Sequence, residues 1–79
     1  MDRNVILEKV QEIFRDCFDD ESLILSWDTN SDDIEDWDSL AQVNIIVSLE
    51  KVFSIKFSVD EIIKLQSVGD IVDTIAKKL

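Results

Sequence analysis

Between Asp19 and Asp38 the chain carries nine carboxylates and not one lysine or arginine. Such a long one-signed interval, with little regular hydrophobic period, reads as a connection. It sets one helical pattern apart from everything that follows. Before it, Ile6, Val10, Ile13, Phe14, Cys17 and Phe18 recur at spacings of three and four, leaving Glu8, Lys9, Glu12 and Arg15 on the other side. After it, a second helix is predicted over about Ser39 to Phe53, with Leu40, Val43, Ile46, Val47 and Phe53 turned inward and Gln42, Asn44, Ser48 and Lys51 outward.

Two further starts are signalled by their caps. Ser58-Val59-Asp60-Glu61 has the Ser-x-x-Glu form of a capping box and opens a short third helix with Ile62, Ile63 and Leu65. Ser54 to Phe57 is the connection before it, with Ile55 and Phe57 as anchors. Ser67 caps a fourth helix whose apolar stripe is Val68, Ile71, Val72, Ile75 and Leu79; Lys77 and Lys78 meet the negative end of its dipole. With no proline and one glycine in 79 residues, the expected fold is all-α. It is a small four-helix bundle, three longer helices plus a short third, with a long acidic loop between helices one and two. One domain spanning residues 1–79 is expected.

The acidic interval has apolar anchors at Leu23, Leu25, Trp27, Ile34 and Trp37, so it should pack down on the bundle. Trp37, directly before the cap of helix two, is expected to staple the helix entry against an apolar residue of the next turn. Asp28, Asn30 and Asp32 also stand at positions one, three and five of an EF-hand-like loop. That pattern breaks at Asp33, where the turn calls for glycine, and at Ser39, where a bidentate glutamate is needed, so no metal site is assigned.

The residues that are absent exclude most chemistry. Without histidine, neither a Ser-His-Asp nor a Cys-His nucleophile can be assembled, and one cysteine cannot build a zinc site or an intrachain disulfide. Cys17 reads as a small buried hydrophobe. One glycine cannot form a phosphate-cradling loop. The paired carboxylates crowd a solvated loop, the wrong setting for a general acid. No enzyme is expected. The net charge of −10 disfavours nucleic acid and favours partners with basic surfaces. No stretch approaches the ~20 apolar residues of a membrane span, and no signal-peptide pattern opens the chain. A cytoplasmic, free-standing monomer is the expectation.

Asp38 is a preferred N-cap, which puts Ser39 at the first position of helix two, with its hydroxyl exposed beside unpaired backbone amides and the positive end of the macrodipole. Such a site suits a phosphate ester. The stretch Trp37-Asp38-Ser39-Leu40-Ala41-Gln42-Val43, with Leu49-Glu50-Lys51-Val52-Phe53 and Ser67-Val68-Gly69-Asp70-Ile71, resembles the acyl carrier and peptidyl carrier protein family over nearly the whole chain.

That resemblance implies a 4'-phosphopantetheine arm on Ser39, within the motif formed with Asp38 and Leu40, whose thiol holds acyl or aminoacyl groups as thioesters. It implies a phosphopantetheinyl transferase as one partner, and an acyl-activating ligase, a ketosynthase or an acyltransferase as others. Trp37, Gln42, Val43, Glu50 and Ile62 are the residues it points to for partner recognition. Val43, Ile46, Val47, Ile62 and Leu65 would line a shelter for the acyl chain, or else are simply core. Helix two departs from the family in holding Ala41, Asn44 and Lys51 where acids are common, which points to a dedicated partner in a specialised natural-product, polysaccharide or lipid pathway. Two other readings stand beside the carrier. A non-carrier helical module binding a basic partner predicts an unmodified Ser39, and a calcium-responsive domain predicts calcium-dependent fluorescence of Trp27 or Trp37.

Overall fold

In the computed structural model, which describes residues 2–79, Asp2 caps α1 (Arg3–Phe18) by accepting the Asn4 amide at 2.7 Å. Ile6, Val10, Ile13 and Phe14 of α1 are buried as the spacing predicts, whereas Cys17 and Phe18 are half-buried at the edge. The helix stops at Asp19, whose left-handed backbone (φ 51°) closes the last turn. Asp is among the few non-glycine residues that tolerate this conformation. The other helices are α2 (Ser39–Phe53), α3 (Val59–Lys64) and α4 (Val68–Lys78). Both α2 and α4 pack against α1.

The four helices agree with the sequence reading, but the buried face of α2 does so only at Ile46 and Phe53. Ile45, Ile46, Leu49 and Phe53 point into the core. Leu40, Val43 and Val47 are 71%, 58% and 45% exposed, so this stripe faces solvent. The reason lies in the helix itself. Apolar side chains occupy nearly every side of α2, and a spacing of three and four can be drawn through either set. Packing on α1 then decides the rotation.

Leu25, Ile34 and Trp37 of the acidic connection are buried, Leu23 is half-buried, and Trp27 lies at the surface under the Arg3 guanidinium, 5.3 Å from its ring centre. Two α1 side chains fasten this loop. Arg15 Nε donates to the Leu23 carbonyl at 2.7 Å, and Gln11 Oε1 accepts the Leu25 amide at 2.8 Å. Arg15 was expected in solvent; it is half-buried because its long stem lies along the loop it holds.

The far end of the loop is fixed by α4. The first amides of that helix, Val68 and Gly69, donate to the carbonyls of Thr29 and Trp27 at 2.8 and 2.9 Å. A Cβ at Gly69 would stand 2.8 Å from the Trp27 carbonyl oxygen, so the only glycine of the chain sits where backbone meets backbone.

Short α3 buries no residue of its own. Ile62 is half-buried, Ile63 is exposed, and Leu65 is buried just beyond the helix end. Its start is held by reciprocal capping between Ser58 and Glu61, and Glu61 also pairs with Lys78 at 2.9 Å. Glu50 Oε2 accepts the Phe57 amide at 2.9 Å and ties the connection before α3 to α2.

Candidate functional site

Asp38 starts α2 from an extended backbone, its Oδ1 accepting the Ala41 amide at 2.8 Å while its carbonyl accepts the Gln42 amide at 2.9 Å. Ser39 is thereby the first helical residue, and it is exposed. The amides of Ser39 and Leu40, the two preceding Ala41, belong to the part of a first turn that no intrahelical carbonyl can reach. No acidic residue lies within that first turn to occupy them.

Behind Ser39, Trp37 is almost fully buried. Its ring meets Phe14 of α1 edge-on, with centroids 5.0 Å apart and planes at 89°. Its indole Nε1 donates to Gln42 Oε1 at 2.6 Å. Gln42 is the fourth helical position, so the staple from Trp37 reaches the expected turn but closes on a polar partner. An indole brings an N–H into the core that must be satisfied, and a carboxamide can accept it where an aliphatic residue could not.

A groove of about 680 Å³ opens beside Ser39. Asp38, Ser39, Gln42 and Val43 form its α2 wall, Ile62 of α3 with Leu65 and Gln66 just after that helix its second, and Asn30 to Asp32 of the acidic loop its third side. Of the five residues suggested for acyl lining, Val43, Ile62 and Leu65 come together here. Ile46 is buried in the core, and Val47 opens onto a different groove, shared with Ile13 and Cys17 between α1 and α2. The reason is the rotation of α2 already described. Among the residues suggested for partner recognition, Trp37, Gln42, Val43 and Ile62 border the Ser39 groove, whereas Glu50 spends its carboxylate on the Phe57 amide. Leu40 projects to solvent next to Ser39.

Asn30, Ser31, Asp32 and Gln66 of the groove were not foreseen. Asn30 is brought there by its antiparallel bridge to Ser67, a contact between distant parts of the chain that no local motif announces. Within the loop, Asn30 Oδ1 accepts the Asp32 amide and Asp33 Oδ2 accepts the Asn30 amide, so the Asn30 oxygen suggested as an EF-hand-like ligand serves turn geometry. Among the described residues no cluster of three or more His, Cys, Asp or Glu is gathered for a metal ion.

Hydrogen bonds from Ser22 hold Asp20 below the usual carboxylate range, and the Ser58 amide, with help from Lys78, does the same for Glu61. Burial pushes the Cys17 thiol up, away from the reactive thiolate. What remains is an exposed hydroxyl at a helix N-terminus, beside a groove lined by carboxamides, aliphatic side chains and the carboxylates of Asp32 and Asp38. These residues suit an attached phosphodiester continued by a chain of amides and methylenes.

The family described as "Phosphopantetheine attachment site" matches residues 5–75. A solution NMR structure of the holo acyl carrier protein from Geobacter metallireducens superposes with a TM-score of 0.86 at 47% sequence identity, covering 91% of this chain and 83% of that one. No curated protein matches the chain. The chain belongs to the phosphopantetheine-attachment family. Its function is that of an acyl carrier, not an enzyme, and the prosthetic group of that function is 4'-phosphopantetheine. Such a carrier has a phosphopantetheinyl transferase and acyl-handling enzymes as its partners. No helix among the described residues is long and apolar enough to cross a membrane.

Proposed function

We propose that Ser39 is the attachment residue, that residues 1–79 act as one carrier domain, and that the chain serves a specialised pathway through a dedicated partner. The observation that carries the first part is the exposed Ser39 hydroxyl on the open first turn of α2, at the rim of an amide- and aliphatic-lined groove. In the transfer, Ser39 Oγ forms the new phosphodiester bond as the pyrophosphate of coenzyme A breaks. Adenosine bisphosphate departs, and the hydroxyl proton passes to the transferase.

Once attached, the arm supplies a thiol that carries acyl groups as thioesters. The chain's own part is to hold and present it. Unpaired amides of the first turn favour the negative phosphodiester, and Asp38 keeps that turn in register through the Ala41 amide. Gln42 and Gln66 can exchange hydrogen bonds with amides lying in the groove, and Val43 and Ile62 can cover methylenes.

The leaning toward a dedicated partner rests on α2, where Glu50 and Lys51 are the only charged residues and offset each other. Leu40, Val43 and Val47 form an exposed apolar stripe beginning next to Ser39. A partner reading this helix would use apolar contacts there and find its electrostatic guidance in the acidic loop.

The test is intact mass after incubating the apo protein with coenzyme A, magnesium and a broad-specificity phosphopantetheinyl transferase. A gain of one phosphopantetheine that disappears in Ser39→Ala is expected. A gain that persists in the mutant moves the site elsewhere. No gain with a folded sample and several transferases brings forward the helical module that binds a basic partner through its acidic loop.

A further inference from the structure

The Ser39 groove borders the core but does not open into it, and the group in the way is an indole. Trp37 lines the groove yet is only 7% exposed, because its ring extends inward to meet Phe14. Beside it, Leu65 is 6% exposed, and Ile46, one turn beyond Gln42, is buried at 6% without reaching the groove. The 2.6 Å bond from Trp37 Nε1 to Gln42 Oε1 fixes the ring against the helix that carries Ser39.

We infer that Trp37, held by Gln42, plugs the floor of this groove and confines acyl cargo to the surface, so that the chain serves short or polar acyl groups and not long alkyl chains. The inference rests on the attachment at Ser39 proposed above and adds the cargo class and the residues that set it. A long alkyl chain gains by leaving water only if it finds apolar volume. Here the way to such volume requires the indole to swing out. That movement parts the aromatic pair, breaks the Nε1–Gln42 bond and turns a nearly buried indole ring out into water, so the apolar burial of the ring is lost before any tail can enter.

What the groove offers without any movement is a shallow lining shared between polar and apolar side chains. Asn30, Ser31, Asp32, Asp38, Gln42 and Gln66 bring hydrogen-bonding groups to it beside the apolar surface of Val43, Ile62 and Leu65. Amides and hydroxyls lying there keep hydrogen bonds, whereas a run of methylenes would desolvate these groups without replacing their partners.

The experiment uses isotope-labelled holo protein loaded in turn with butyryl, hydroxybutyryl and decanoyl groups, each loading verified by intact mass. Readouts are the Trp37 indole N–H signal, assigned by its absence from Trp37→Phe, and the methyl signals of Ile46 and Leu65. In the wild type, the indole and Ile46 signals are expected at the holo position with all three cargoes. In Gln42→Ala, and in Trp37→Phe, the decanoyl form alone should shift the Ile46 and Leu65 methyls as the tail enters. Wild-type decanoyl protein with a displaced indole and shifted Ile46 methyl overturns the plug. So does a decanoyl tail that stays outside in both variants, since something else then excludes it. Gln42→Ala retains the full indole and decides the matter if Trp37→Phe does not fold. Absence of any mass gain removes the attachment reading and this inference with it, and is seen before any spectrum is recorded.

Discussion

The N-termini of α2 and α4 are built alike and used differently. Each begins after a small polar cap whose side chain accepts the third helical amide, Asp38 to Ala41 and Ser67 to Asp70. At α4 the two remaining amides are taken by the Trp27 and Thr29 carbonyls, and Gly69 lets the strands of backbone close to contact distance. At α2 no backbone covers the first turn, and the first residue is an exposed serine. The same local signal therefore makes a joint in one place and a presentation site in the other. What differs is whether another segment arrives to use the amides.

The largest effect expected from this contrast is a double dissociation between the two serines. Ser39→Ala should abolish phosphopantetheine attachment, read by intact mass, while leaving the melting temperature nearly unchanged, because alanine is a good helix former and Ser39 buries nothing. Ser67→Ala should leave attachment intact and cost about 1 kcal/mol of stability in urea unfolding, the usual loss for a removed cap. If Ser67→Ala blocks attachment in folded protein, the two ends are not independent.

Next comes the joint itself. Gly69→Ala gains about 1 kcal/mol of helix propensity, but places a methyl 2.8 Å from the Trp27 carbonyl oxygen, which belongs to backbone and cannot rotate away. The loop must shift, and both backbone bonds loosen. A net destabilisation of about 1–2 kcal/mol is expected on the scale of overpacking costs. Attachment at α2 should survive in the folded fraction. An equal or raised melting temperature would mean that the joint gives way without cost.

The smallest effect is read by pH, at a third helix start. Glu61 caps α3 and is held below the usual glutamate range chiefly by the Ser58 amide and then by Lys78. Its folded pKa lies below the unfolded one, so its contribution is present above the unfolded value and fades as pH falls through the folded value. Glu61→Gln should flatten the acid limb of the stability profile slightly and change nothing near neutrality in its slope. An unchanged acid limb would show that this exposed cap carries no measurable linkage.

How much of this was legible depended on whether the information was local. The caps Asp38, Ser58 and Ser67 are written in adjacent residues, and so are the helix starts they produce. The α1 stripe was equally plain because charged residues fill its other side. On α2 apolar residues surround the helix, so Leu40, Val43 and Val47 could not be told from Ile45 and Leu49 until α1 was in place. The third wall of the groove was illegible for a stronger reason. Asn30 reaches it only through the joint with Ser67, a pairing between segments separated by two helices.

That joint also sets an order of events during synthesis. The carbonyls of Trp27 and Thr29 emerge first, and the amides that hold them, on Val68 and Gly69, follow only after α2 and α3. Contacts so distant in sequence form after local helices have closed. Ser39 can sit on a formed helix turn while its groove still lacks a wall. Docking of α4 on the loop is thus the event that turns a capped serine into a finished site.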